Sequence, residues 1–236
     1  MSSKFIMYGY SSKGEMHKKN NLPNQDAWFS YKYFFGSLVV VADGMGSKKF
    51  SEFGSKMACK ASYDAVNYWY KNKSSNVRHL LMILQTMWTS LVSVKYSDKE
   101  SCSTILFALA LNNGKLITAQ LGDGIILVNR GKYASNLSKE REGFGNETYA
   151  LGSTWNIDKW IINEFDITDD IKGIILATDG VADDLLKDKY LEFSEYILNI
   201  SDEFPQKRWR ILKDELENWP TPFSGDDKTI GVLKFI

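Results

Sequence analysis

A chain of 236 residues is long enough for one substantial hydrophobic core and short for two, and no break in composition marks a linker, so one domain spanning 1–236 is expected. Lys plus Arg and Asp plus Glu number 29 each, which leaves no global field to favour nucleic acid or a membrane surface as partner. No apolar run approaches the roughly 18 residues of a membrane helix, the first residues lack an apolar stretch with a cleavage site, and Cys59 and Cys102 sit in apolar patterns without metal-ligand spacing; the expectation is a cytoplasmic protein with buried free thiols.

Phe5 to Tyr10, Ala27 to Tyr33 and Phe34 to Ala42 are aromatic and β-branched, which predicts strands gathered in one small sheet, the third buried on both faces. From Ser51 the period lengthens. Met57, Ala58, Ala61, Ala65, Tyr68 and Trp69 share one stripe and predict a helix to about Lys71, with Ser51 or a neighbour as its cap. After the polar break Asn72 to Asn76, Leu80, Leu84, Met87, Trp88 and Leu91 mark a second helix ending near Ser97. Strands return at Thr104 to Leu111, Lys115 to Leu121 and Ile125 to Val128; Asn112-Asn113-Gly114 and Asp123-Gly124 read as hairpin turns, so an antiparallel meander is expected. Ser135 to Trp155 has no period and contains Gly143, Gly145 and Gly152, the signature of a functional flap. Trp160 to Phe165 and Gly173 to Ala177 predict strands, Tyr190 to Ile200 and Pro205 to Trp219 helices, and Thr229 to Phe235 a closing strand. Antiparallel strand sets with paired helices imply helix layers packed on sheets.

Three apolar runs end on an aspartate beside a glycine: Leu38 to Ala42 into Asp43-Gly44, Leu116 to Leu121 into Gly122-Asp123-Gly124, and Ile174 to Ala177 into Thr178-Asp179-Gly180. One Asp-Gly pair is a common turn. Three strands that each deliver a carboxylate, with Asp226-Asp227 standing before the apolar stretch Ile230 to Ile236, could meet at one sheet edge, and hard cations bind through such oxygen clusters.

The motif order Asn24-Gln25-Asp26-Ala27, Val41-Ala42-Asp43-Gly44-Met45-Gly46, Leu121-Gly122-Asp123, Ala177-Thr178-Asp179-Gly180 and Asp226-Asp227-Lys228-Thr229 resembles the metal-dependent protein serine/threonine phosphatases of the protein phosphatase 2C type, in particular their compact bacterial branch, from Gly9 to the last strand. The resemblance implies an α+β fold of four layers, α-β-β-α, with a central antiparallel β-sandwich flanked by helix layers. It implies hydrolysis of phosphoserine and phosphothreonine by a water bridging two divalent metals, Mn2+ or Mg2+, with a third, weaker ion beneath the flap. Asp43 would bridge the two metals and the Gly44 carbonyl would join the second, while Asp179 and Asp226 would hold the first and Asp123 would help Asp179 hold the third. Asp226 is preferred to Asp227 because Asp227-Lys228-Thr229 aligns with the family's Asn-x-Thr/Ser tail, which leaves Asp227 behind the ligands. Asp26 would support the metal site through water or hydrogen bonds. The implied partners are a phosphoprotein substrate and, by family analogy, a cognate Ser/Thr kinase; a monomer is expected, with neither nucleic acid nor membrane.

The chain departs from the family in three places. Where relatives carry a phosphate-clamping arginine it reads His17-Lys18-Lys19-Asn20-Asn21-Leu22-Pro23, so His17 is the expected phosphate donor, with Lys18 and Lys19 as rivals. Met45 replaces the histidine that eukaryotic relatives use as general acid, which leaves that step to His17 or to a water on a metal ion. Gln25 stands where glutamate is common and removes a charge near the second metal. Bland readings are preferred elsewhere: His79 at the surface or capping a helix, Trp69, Trp88 and Trp209 in the core, and Lys207, Arg208 and Arg210 on a solvated helix face. The rival functions are a catalytically silent regulatory module with the same fold, and a metallophosphoesterase for small phosphorylated molecules. Convergence of Asp43, Asp179 and Asp226 is the structural requirement.

Overall fold

The computed structural model describes residues 5–138, 148–221 and 223–236. Its strands form two five-stranded antiparallel sheets. The first runs β1 (Phe5–Ser12), β10 (Lys228–Phe235), β9 (Gly173–Ala177), β6 (Ile125–Asn129), β7 (Ala134–Asn136), and the second β2 (Asp26–Tyr33), β3 (Gly36–Asp43), β4 (Ile105–Leu111), β5 (Lys115–Leu121), β8 (Ile161–Asp166). Helices α2 (Ser51–Lys71) and α3 (Val77–Ser93) cover the second sheet; α5 (Tyr190–Asn199) and α6 (Pro205–Glu217) cover the first.

Side-chain alternation builds the layers. On β3, Leu38, Val40 and Ala42 face the helix layer while Val39 and Val41 enter the space between the sheets. Ile105, Phe107 and Leu109 of β4 likewise face the helices, and Leu106, Ala108 and Ala110 face the other sheet. Both strands are buried on both faces, as an almost wholly apolar run demands. Trp88 on α3 fills the helix-side core, and its Nε1 donates to the Gly54 carbonyl of α2 at 2.9 Å, which removes the cost of burying the indole N–H. Gly54 is required there because a Cβ would lie 1.8 Å from the Ser101 carbonyl oxygen.

The structure corrects several expectations. β1 does not join β2 and β3; it pairs with β10, Phe5 opposite Phe235, at the edge of the other sheet. The two apolar faces can then close on each other, with Gly9 of β1 against the Trp28 ring of β2. Asp123-Gly124 is not a hairpin, since β5 pairs with β4 and β8 whereas β6 pairs with β7 and β9. The chain passes there from one sheet to the other on Gly122 and Gly124, both at positive φ (98° and 100°), a conformation that costs glycine little. Phe34 and Phe35 form the turn between β2 and β3 instead of opening a strand, with Phe35 stacked on Tyr70 at 3.6 Å. Helix α3 stops at Ser93 rather than near Ser97, and Ser51 starts α2 without capping it, its buried hydroxyl lacking a partner. Trp209 is half exposed, with its ring edge-on to Tyr10, so it is no core residue.

The anticipated flap divides. Its first residues lie in β7, residues 139–147 are outside the described residues, and 148–155 are tied down: Leu151 bridges Ser103, and Gln85 Nε2 donates to the Thr154 carbonyl at 3.0 Å. Cys59 and Cys102 are buried free thiols, and burial pushes the Cys59 thiol up to about 12.

Candidate active site

The sheets bring their aspartates to one edge. Asp26 opens β2 and Asp43 closes β3, and the antiparallel register sets them directly opposite each other. Like charges so placed repel. Asp179 follows β9 as the first residue of the short helix α4 (Asp179–Ala182), Asp123 lies on the sheet-to-sheet passage, and Asp226-Asp227 immediately precede β10. Carboxylate oxygens of Asp43, Asp123 and Asp179 lie within 4.8 Å of one another, and a second group on the same scale joins His17, Asp226 and Asp227. Asp226 is close enough to raise the Asp43 pKa by its charge, which links the groups. Asp43 and Asp179 therefore converge, joined by Asp123, whereas Asp226 falls in the other group, on the His17 side.

Electrostatics give the cluster its character. Burial, then the charges of Asp26, Asp179 and Asp226, hold the Asp43 carboxyl well above the usual range. Burial is also the largest influence on Asp26, pushed up to about 7, with the Asp227 charge adding to it and the Thr229 and Thr178 hydroxyls opposing it. Thr178 Oγ1 donates to Asp26 Oδ2 at 2.8 Å, and Asp26 shares a side-chain hydrogen bond with Asp43. Carboxylates packed this closely need protons or cations among their oxygens. A set made of carboxylate oxygens suits hard divalent ions, so these residues fit a metal centre.

Both folded pKa values are raised, so below them the folded chain keeps protons that the unfolded chain has released. The sign is therefore opposite to that of a salt-bridged carboxylate: stability falls as pH rises between the unfolded and folded values, by about 1.4 kcal/mol per pH unit for each retained proton. With a chelator present, wild type is expected to lose thermal stability relative to Asp26→Asn as pH rises from about 4 to about 7. Parallel melts that do not diverge across that window would refute this account of the cluster.

Backbone contacts hold the site rigid. The Asp43 carbonyl accepts from Ser103 Oγ at 2.9 Å and from the Thr104 N–H at 2.8 Å. Gly44 is buried, its N–H donates to the Gln25 carbonyl at 3.1 Å, and a Cβ would stand 2.5 Å from the Ser51 carbonyl oxygen. Thr148 Oγ1 donates to Asp123 Oδ2 at 3.1 Å, fastening the far end of the flap to the site. Thr178 and Thr229 were missed in the sequence although each is close in sequence to a candidate ligand; hydroxyls flanking strand-borne aspartates were the available signal.

The substrate-side candidates separate by burial. His17 lies in the short helix α1 (Glu15–Lys19), buried, with Nδ1 2.8 Å from Asp227 Oδ2 and Nε2 4.0 Å from Asp226 Oδ1. Lys18 is exposed and paired with Glu15 at 2.8 Å, and Lys19 is exposed, so neither is held toward the carboxylates. Lys228 is buried, and its Nζ donates to the carbonyls of Ser224 and Asp226 at 3.0 and 3.1 Å, bracing the loop that carries Asp226 and Asp227. Beside the site a cleft of about 470 Å3 opens between Gln25, Gly46, Lys48 and the start of α2.

Solved structures support the architecture. The fold is similar to a bacterial serine phosphatase (TM-score 0.69, 16% identity, all of both chains) and to PppA, a key regulatory component of T6SS in Pseudomonas aeruginosa (0.69, 16%, 99% of each). It is also similar to the catalytic domain of the serine/threonine protein phosphatase PstP in complex with two manganese ions (0.65, 15%, 98% of each). No curated protein matches the chain by sequence. No helix among the described residues is long and apolar enough to cross a membrane. The protein phosphatase 2C description matches residues 13–219, a span that includes Asp26, Asp43, Asp123 and Asp179 and stops short of Asp226. By that match, which takes in the inner carboxylate set and both helix layers, the chain belongs to the protein phosphatase 2C family.

Proposed function

We propose that this chain is a protein serine/threonine phosphatase that hydrolyses phosphoserine and phosphothreonine with Mn2+ or Mg2+, as two ions and a third, weaker one. The observation that carries the reading is the meeting of Asp43, Asp123 and Asp179 within 4.8 Å at the edge of the sandwich. When bound, divalent cations make hydroxide available near neutral pH and neutralise phosphoryl charge. Asp43 and the Gly44 carbonyl would hold the ions from β3, Asp179 and Asp226 from the facing sheet, and Asp123 from the passage between them. Asp26 keeps the Asp43 carboxyl in place through their shared hydrogen bond. His17 turns Nε2 toward the Asp226 side, where the ring, protonated on both nitrogens, would donate its Nε2 hydrogen to a phosphoryl oxygen and then give that proton to the leaving alkoxide. The reading includes a phosphoprotein substrate, a cognate kinase as counterpart, and a cytoplasmic monomer.

Hydrolysis of an aryl phosphate and of a phosphothreonine peptide, with manganese and with chelator, tests this directly. Activity on both that vanishes with chelator is expected, and a wild type inert on both would overturn the reading. Activity on the aryl phosphate without activity on any phosphopeptide would assign the site to small phosphorylated molecules. Lys18→Ala should change either rate less than about twofold, because an exposed pair of this kind contributes little; a tenfold loss would make Lys18 the phosphate donor.

A further inference from the structure

Asp227 lies with His17 and Asp226 in the second group and is not among the cation ligands proposed above. It is 2% exposed and takes three donors from the segment joining β1 to β2. The Gly14 N–H donates to Oδ1 at 2.7 Å, the Gln25 N–H to Oδ2 at 2.6 Å, and His17 Nδ1 meets Oδ2 at 2.8 Å. Its neighbour Asp226 is half exposed, with a carboxylate oxygen within 4.8 Å of both Asp227 and His17. We propose that Asp227 is a positioning residue, which sets the orientation and the hydrogen of the His17 ring so that Nε2 faces the Asp226 carboxylate and the substrate phosphoryl group. The inference rests on the role of His17 proposed above.

The donor and acceptor inventory carries it. An oxygen already accepting the Gln25 N–H can meet Nδ1 favourably when the ring supplies the hydrogen, so Nδ1–H points at Asp227 and Nε2 is left for another partner. At 4.0 Å from Asp226 Oδ1, Nε2 is too far for a direct hydrogen bond to that carboxylate. The dipeptide itself cannot drift. A Cβ on Gly14 would stand 2.2 Å from the Asp226 carbonyl oxygen, and one on Gly180 would stand 2.0 Å from that of Asp227, so backbone closes on it from both sides. One closely packed dipeptide thus carries a proposed cation ligand and, beside it, the support of the phosphate donor. Asparagine is not equivalent, because its single amide oxygen can face either Gly14 or the pair of Gln25 and His17, and its NH2 then opposes a donor on the other side. Carboxylates that hydrogen-bond metal-ligating histidines typically contribute about 10- to 100-fold to affinity or activity, and the same scale is expected behind a phosphate-donating histidine.

The chain has two histidines, His17 and the exposed His79, so 15N-labelled imidazoles can be assigned with His79 as internal control. In wild type the His17 ring should carry a hydrogen on Nδ1, and inorganic phosphate with Mg2+ should shift the Nε2 signal of His17 to that of a hydrogen-bearing nitrogen and leave His79 unmoved. In Asp227→Asn the Nδ1–H signature and the phosphate response should both be lost. Kinetically, Asp227→Asn and His17→Gln should each raise KM for an aryl phosphate about tenfold or more, and the double variant should be no worse than the worse single variant. A purely structural staple predicts instead additive losses and a His17 ring unchanged in Asp227→Asn; either result overturns the proposal. If Asp227→Asn does not fold, Asp227→Glu, which keeps the acceptor and displaces it, is read in the same way. An inert wild type would remove the phosphatase reading, and the imidazole spectra would still decide what Asp227 does to the ring.

Discussion

Asp43→Asn should lower manganese-dependent hydrolysis of an aryl phosphate by about a thousandfold or more, while the protein melts, in chelator, at or above the wild-type temperature. The two halves of this expectation share one cause. Asp43 stands opposite Asp26 and near Asp179 and Asp226, so its charge is what a cation would bind and also what the metal-free fold must tolerate. Loss of a ligand that joins two ions removes several kcal/mol of charge stabilisation, and each 1.4 kcal/mol is tenfold in rate. Asparagine keeps the shape, can still donate to Asp26, and carries no charge, so self-repulsion within the cluster falls. Activity above one tenth of wild type would remove Asp43 from the reaction. A large drop in the melting temperature in chelator would mean that the cluster is held by something other than the balance described here.

The opposite pattern is expected of Phe107→Ala. Phe107 is 1% exposed at the centre of β4, in the core between the second sheet and helices α2 and α3. Truncation should cost about 3–5 kcal/mol, the transfer of the ring plus the cavity it leaves. For a chain of this length that is a fall of about 6–20 °C in Tm. At a temperature where the variant remains folded, activity should stay within about threefold of wild type, because Phe107 belongs to the helix-side core and the clustered aspartates stand at the strand ends. Thermal melts and assays at that temperature check both. A tenfold loss of rate with an intact fold would show that the helix-side core tunes the site, which the layer geometry does not anticipate.

Much of the frame is legible in the chain because apolar periodicity reports burial directly. The double-sided burial of β3, the stripes of α2 and α3, a strand ending on Asp43 and another ending just before Asp179 follow from residues near one another in sequence. The Asp123-Gly124 passage was misread as a hairpin because the dipeptide serves both, and only the partners of β6 tell them apart. β1 was misassigned for a related reason. Its partner, β10, lies at the far end of the chain, and no local pattern names a strand so distant.

The site divides along the same line. The sequence by itself determined which residues could carry the chemistry, since aspartates delivered by buried strands in this order are a matter of residue type and spacing. The tertiary structure decided how they meet: Asp26 against Asp43, Asp123 within the inner set, Asp226 on the His17 side, and the buried Asp227 beneath the imidazole. Strand register and the closing of two sheets set those distances, and both depend on contacts between segments that lie far apart along the chain. Lys18 and Lys19, the rivals to His17 as phosphate donor, are exposed for the same reason, whereas burial and hydrogen bonding hold the histidine toward the carboxylates.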